Sequence, residues 1–91
     1  MVKIKQYSRV RVVHIPEHLN YTLGDGMAKI GDLGTVVEIY KVEAEGLPDG
    51  YEVECCSAEG ATSWLATFHR EDLEPLNRLE LKMASGKHED G

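Results

Sequence analysis

The side chains able to do chemistry are few and scattered. Two cysteines, Cys55 and Cys56, are adjacent, and the four histidines are His14, His18, His69 and His88. A nucleophile needs a base within hydrogen-bond reach and a third group to orient that base. Cys56, His69 and Glu71 supply the residue types, but no local motif fixes their geometry. No catalytic residue is therefore assigned, and the chain is read as a non-enzyme. His14 and His18 have the spacing that places two metal ligands on one face of a helix, yet Pro16 lies between them and opposes that helix. With the other histidines and the cysteines they form no ligand set of recognisable spacing, so neither a metal nor any other cofactor is expected. Neighbours on a strand point to opposite faces, and a disulfide joining Cys55 to Cys56 would be strained. One is expected to pack as a small hydrophobe and the other to face water, both suiting a reducing compartment.

Charged side chains offer a different chemistry. Arg9 and Arg11 share one strand face, as do Glu52 and Glu54. A basic rung could meet an acidic rung, each cross-strand pair being worth about 0.2–1 kcal/mol, or the arginines could form a docking strip. The chain holds ten Lys/Arg against sixteen Asp/Glu, for a net charge of −6. The imbalance is uneven: residues 1–41 carry six against four, and residues 42–91 carry four against twelve. Such a surface repels phosphate backbones on average, which disfavours nucleic acid as a partner.

These residues must be held by short elements. Tyr7 to Ile15 reads as a strand, with Val10 and Val12 alternating against Arg9 and Arg11. Val13 and Ile15 change the parity, which implies a bulge or twist, and Pro16 ends the run. His18 to Lys29 contains Asn20, Gly24, Asp25 and Gly26 and has no countable period, so it is expected to be a long loop. Its Leu19, Tyr21, Leu23 and Met27 either cover one end of the core or stand exposed as a protein-binding or homo-oligomer surface, beside Arg9 and Arg11.

Gly31 and Gly34 suit a tight turn that opens a strand through Tyr40, and Asp32 can bond the local backbone. Val36 and Ile39 are three apart. Either Val37 and Ile39 face inward with Thr35, or the strand bends between Val36 and Ile39. After a Gly/Pro/Asp hairpin loop, Tyr51, Val53 and Cys55 alternate with Glu52 and Glu54. Trp64, Ala66 and Phe68 then form the apolar face of a strand over 62–68. His69 to Pro75 fits one helical turn ended by proline and anchored by Leu73. Leu79, Leu81 and Met83 suggest a short closing strand or a frayed helix, and residues 84–91 a disordered tail. Residues 1–83 thus read as one domain. No apolar run approaches the roughly 20 residues that span a bilayer, and the N-terminus lacks a signal-peptide pattern, so a cytoplasmic protein without membrane attachment is expected.

The order of strand, long loop, glycine-turn strand, hairpin, strand, helical turn and short strand is the plan of a small all-β, SH3-like barrel with about five antiparallel strands. From Val10 to Leu76 the chain resembles a bacterial family of small SH3-like proteins whose activity is not established. The resemblance rests on Gly31-Asp32-Leu33-Gly34-Thr35-Val36-Val37-Glu38, on Tyr51-Glu52-Val53-Glu54, and on Asp72-Leu73-Glu74-Pro75-Leu76. The longer His18 to Lys29 loop and the Cys55-Cys56 pair depart from it. The resemblance implies a non-catalytic, protein-binding accessory of antitoxin or immunity type. Gly31, Gly34, Val36 and Ile39 also resemble the KOW element of RNA-contacting barrels, which gives nucleic-acid binding as the alternative. An RNA reader wants clustered cations and exposed aromatics, whereas here Lys29 and Lys41 stand against Asp32, Glu38, Glu43 and Glu45.

Overall fold

The computed structural model describes residues 3–41, 46 and 48–77. Its strands are β1 (Arg9–Val12), β2 (Asn20–Leu23), β3 (Leu33–Tyr40), β4 (Gly50–Cys56), β5 (Thr62–Phe68) and β6 (Leu73–Pro75). A three-residue 3-10 turn, Arg70–Asp72, precedes β6. All neighbours are antiparallel in one sheet of order β2-β5-β4-β3-β1-β6. The all-β expectation holds, with six strands rather than about five. No ladder joins β2 to β6 among the described residues, so the described sheet is open.

Period-two alternation fixes what each strand buries. Val10 and Val12, Val36, Tyr51 and Val53, and Trp64, Ala66 and Phe68 all face inward and are almost wholly buried, together with Ile4 and Leu73. A sheet has to cover its apolar face with another layer or with itself. Among the described residues only a three-residue turn is helical, so the sheet curls around its own inner face. Trp64 and Phe68 fill the middle with ring centroids 5.7 Å apart and planes tilted by 60°.

The Val36 to Ile39 ambiguity resolves as a bend. The β3–β4 register shifts between Val36 and Glu38, one extra residue resets the parity, and Val36 and Ile39 both reach the core. The two turn glycines have different reasons. Gly31 has φ 100° in a turn closed by Asp32 N–H donating to Lys29 O at 3.0 Å. Gly34 is needed for space: a Cβ there would stand 2.6 Å from Val53 Cγ1 and 2.8 Å from Glu54 O.

Three expectations need correction. The His18 to Lys29 segment is not all loop, because Asn20–Leu23 forms β2 on the free side of β5. The first strand is shorter than Tyr7 to Ile15: Tyr7 lies in a turn, and beyond Val12 the N–H groups of Val13 and His14 leave the ladder to bond Asp72 O. The helical turn ends at Asp72, and Leu73 to Pro75 continue as an edge strand against β1, where proline is tolerated. The expected closing strand at 79–83 and the tail at 84–91 lie outside the described residues.

Candidate binding surface on the β2 edge

All four β2 residues are exposed. The strand pairs on one side with β5, through Asn20 with Thr67, Tyr21 with Ala66 and Leu23 with Leu65. The register shifts between Tyr21 and Leu23, which leaves Thr22 as the extra residue; its hydroxyl donates to Glu52 Oε2 on β4 at 3.1 Å. Beyond the strand the chain folds back. Gly26 N–H donates to Ser63 O at 2.7 Å, and Ala28 N–H donates to the Tyr21 hydroxyl at 2.9 Å.

This fold-back divides the apolar residues of the segment. Leu19 packs against the core with Ile15 and Ala28, so part of the segment does cover the core. Tyr21, Leu23 and Met27 remain 37, 57 and 71% exposed. Tyr21 and Met27, with Ile15, Pro16 and Leu19 and with Glu17, His18 and Asn20, line a groove of about 550 Å³. Its lining is apolar and hydrogen-bonding, with one carboxylate from Glu17.

Arg9 and Arg11 are not brought to this surface by the ladders. They lie on β1, and three strands stand between β1 and β2 in the sheet. Arg11 is engaged instead with Glu74 of β6, Nη1 to Oε1 2.8 Å. Nor do the basic and acidic rungs meet, because β3 separates β1 from β4. Glu52 accepts from the Tyr40 hydroxyl at 2.9 Å as well as from Thr22, and Glu54 accepts from the Thr62 hydroxyl at 2.6 Å. Parity assigned the faces correctly but carries no strand order. The Glu52 hydrogen bond, aided by desolvation and by the Glu52 and Glu38 charges, holds the Tyr40 phenol above its ordinary range.

The on-paper set of Cys56, His69 and Glu71 is not assembled. Cys56 pairs with Thr62 at one end of β5 and His69 follows Phe68 at the other. The six residue steps between those ends span about 20 Å. Burial pushes the Cys55 thiol up, with Asp32's charge adding to it, which weakens it as a nucleophile. Among the described residues no group of three or more His, Cys, Asp and Glu side chains is placed to hold a metal ion.

Two aspartates, one buried and one half-buried, hold turns to the sheet. Asp72, 2% exposed, accepts His69 N–H at Oδ2 (2.9 Å), and its Oδ1 lies 2.7 Å from His14 Nδ1. It ties the 3-10 turn to the chain leaving β1. Asp32 Oδ2 accepts from Lys29 N–H at 2.9 Å and from Trp64 Nε1 at 3.1 Å, pinning the glycine turn to β5. The turn bond was legible from Asp32's position, whereas the tryptophan bond joins residues 32 apart and has no local signal.

No helix of the described chain is long and apolar enough to cross a membrane. Comparison with protein-family models, with curated proteins and with solved structures found no match to the chain.

Proposed function

We propose that the chain is a non-enzymatic protein-binding module that receives its partner along β2 and the adjoining groove. The observation that carries this reading is the contrast between the two edges of the described sheet. Natural sheets blunt their edges with charge, proline, bulges or shortness, and of these β2 has its shortness and the irregularity at Thr22. The β6 edge is three residues long and includes Glu74 and Pro75. The β2 edge has no charged residue and no proline, and it stands beside exposed Tyr21, Leu23 and Met27. Tyrosine and methionine are enriched in interfaces, and an extended segment added to a free edge gains main-chain hydrogen bonds. In this reading the curled sheet is an SH3-like barrel in plan, and the protein is a bacterial cytoplasmic accessory of antitoxin or immunity type, whose partner is another protein or a second copy.

The test is capture of partners from the native host with the wild-type chain and with a Leu23→Glu/Met27→Glu variant of unchanged melting temperature. A partner retained by the wild type and lost from the variant supports the β2 surface. Equal recovery by both chains contradicts it.

A further inference from the structure

A second contact surface lies on the N-terminal arm. Lys5 O accepts Ser8 N–H at 3.1 Å, closing a four-residue turn with Gln6 and Tyr7 at its centre. Tyr7 has φ 72°, and it is the one non-glycine residue with positive φ among the described residues. A turn that needs positive φ at its third residue ordinarily has glycine or asparagine there, because a Cβ in that conformation crowds the carbonyl that follows. A bulky aromatic at such a position is a genuine outlier, and outliers of this kind concentrate at functional sites.

The backbone around Tyr7 is over-determined. Its N–H donates to Val36 O, Gln6 Nε2 donates to Val37 O at 2.9 Å, and Lys5 N–H donates to Ser8 Oγ at 3.1 Å. The turn therefore serves the carbonyls at the β3 bulge, and any residue other than proline could provide the N–H at position 7. The ring contributes nothing comparable to the fold, since Tyr7 is 72% exposed. Stability would favour glycine here, yet a tyrosine is held out in water.

Its neighbours complete the chemistry. Ile4 and Val10 point into the core, while Lys3, Lys5 and Arg9 are exposed, and none of the three forms an ion pair with a described residue. The first sixteen residues hold four of the ten Lys/Arg and none of the sixteen Asp/Glu. The arm is thus a cationic island on an acidic molecule. Acidic side chains bound it on the sheet: Glu38 on β3 follows Val37, whose carbonyl Gln6 bonds, and Glu54 on β4 stands opposite Thr35, the partner of Arg9.

We infer that Lys3, Lys5, Tyr7 and Arg9 form a docking site for a short acidic protein segment carrying an apolar side chain that packs on the Tyr7 ring. Tyr and Arg are the residue types enriched in binding hot spots. Complementary charge steers the approach of such a segment. The small size of the island favours this occupant over nucleic acid: a strand of phosphates would run past it onto the Glu54, Glu52 and Glu38 face, and one aromatic offers a single stacking platform. The site is separate from β2 and does not depend on the function proposed for that edge.

The test is fluorescence anisotropy at low salt with a labelled acidic peptide of alternating glutamate and leucine, and separately with labelled oligothymidylate. The chains are wild type, Tyr7→Gly and Arg9→Gln. The expected result is salt-sensitive peptide binding by the wild type that falls at least about tenfold in Tyr7→Gly, while the melting temperature of that variant rises by a few degrees as the strain is relieved. Arg9→Gln, with an unchanged fold, loses several-fold in affinity. Unaltered peptide affinity in both variants, no peptide binding by the wild type, or binding of oligothymidylate in preference to the peptide overturns the inference.

Discussion

Asp72 shows how much of this small domain hangs on single side chains. It is buried, its two carboxylate oxygens meet His14 and the His69 N–H, and its carbonyl accepts from Val13 and His14. Removing the carboxylate takes the partner from the His69 N–H and the His14 ring and loosens the 3-10 turn, while the main-chain bonds from Asp72 O to Val13 and His14 remain. Asp72→Ala is expected to cost about 1–3 kcal/mol in urea unfolding, more than an exposed polar truncation would. The two turn glycines give a sharper pair. Gly34→Ala drives a Cβ into Val53 and the Glu54 carbonyl and is expected to cost about 1–3 kcal/mol. At Gly31 a Cβ meets nothing within 4 Å, so only its φ of 100° resists substitution. Gly31→Asn should therefore lose much less than Gly31→Val, whereas Gly34→Asn and Gly34→Val should both fail. Tyr40 adds a pH test. Its phenol titrates above the ordinary value, so the hydrogen bond to Glu52 is fully present below the unfolded pKa near 10. That contribution fades as pH rises through the folded value. Ultraviolet titration of Glu52→Gln should show the Tyr40 midpoint moving down toward that of free tyrosine.

At the scale of elements, sequence and structure agree where a strand is buried on one face and paired on both sides. Tyr51 and Val53 on β4, and Trp64, Ala66 and Phe68 on β5, were legible because alternation against water leaves a period-two record. The β3 bend was legible as a choice, since Val36 and Ile39 cannot share a face on a regular strand. β2 was not legible. It is four residues long, wholly exposed and paired along one side, and Thr22 interrupts its register, so no hydrophobic period survives. Residue type alone marks exposed Tyr21 and Leu23, and Met27 beyond the strand, but not the strand itself. The Tyr7 turn left no mark either, because nothing in a tyrosine announces a positive φ. Since β2 is held mainly by β5 and by the Tyr21 and Gly26 bonds, its amides are expected to exchange faster than those of β4. Hydrogen exchange of the free protein measures this directly.

For the whole molecule, the curled sheet separates its surfaces. One edge is short and charged, the other uncharged and grooved, and the N-terminal arm is cationic where the outer β4 face is acidic. Such a layout suits recognition of proteins by a small scaffold whose core is fully spent on holding the sheet. Arg9 and Arg11 belong to this arrangement differently from what the sequence suggested: Arg11 closes the β1–β6 edge through Glu74, and Arg9 belongs to the arm. Strand order, which no local pattern encodes, made that difference.

A protein partner that adds to the β2 edge must shield that strand's amides, and hydrogen exchange of the purified complex, compared with the free chain, reads them. Strong new protection at residues 20–23, extending to 27, is the expected result. Protection confined to other strands, with β2 exchanging as fast as in the free protein, would contradict it.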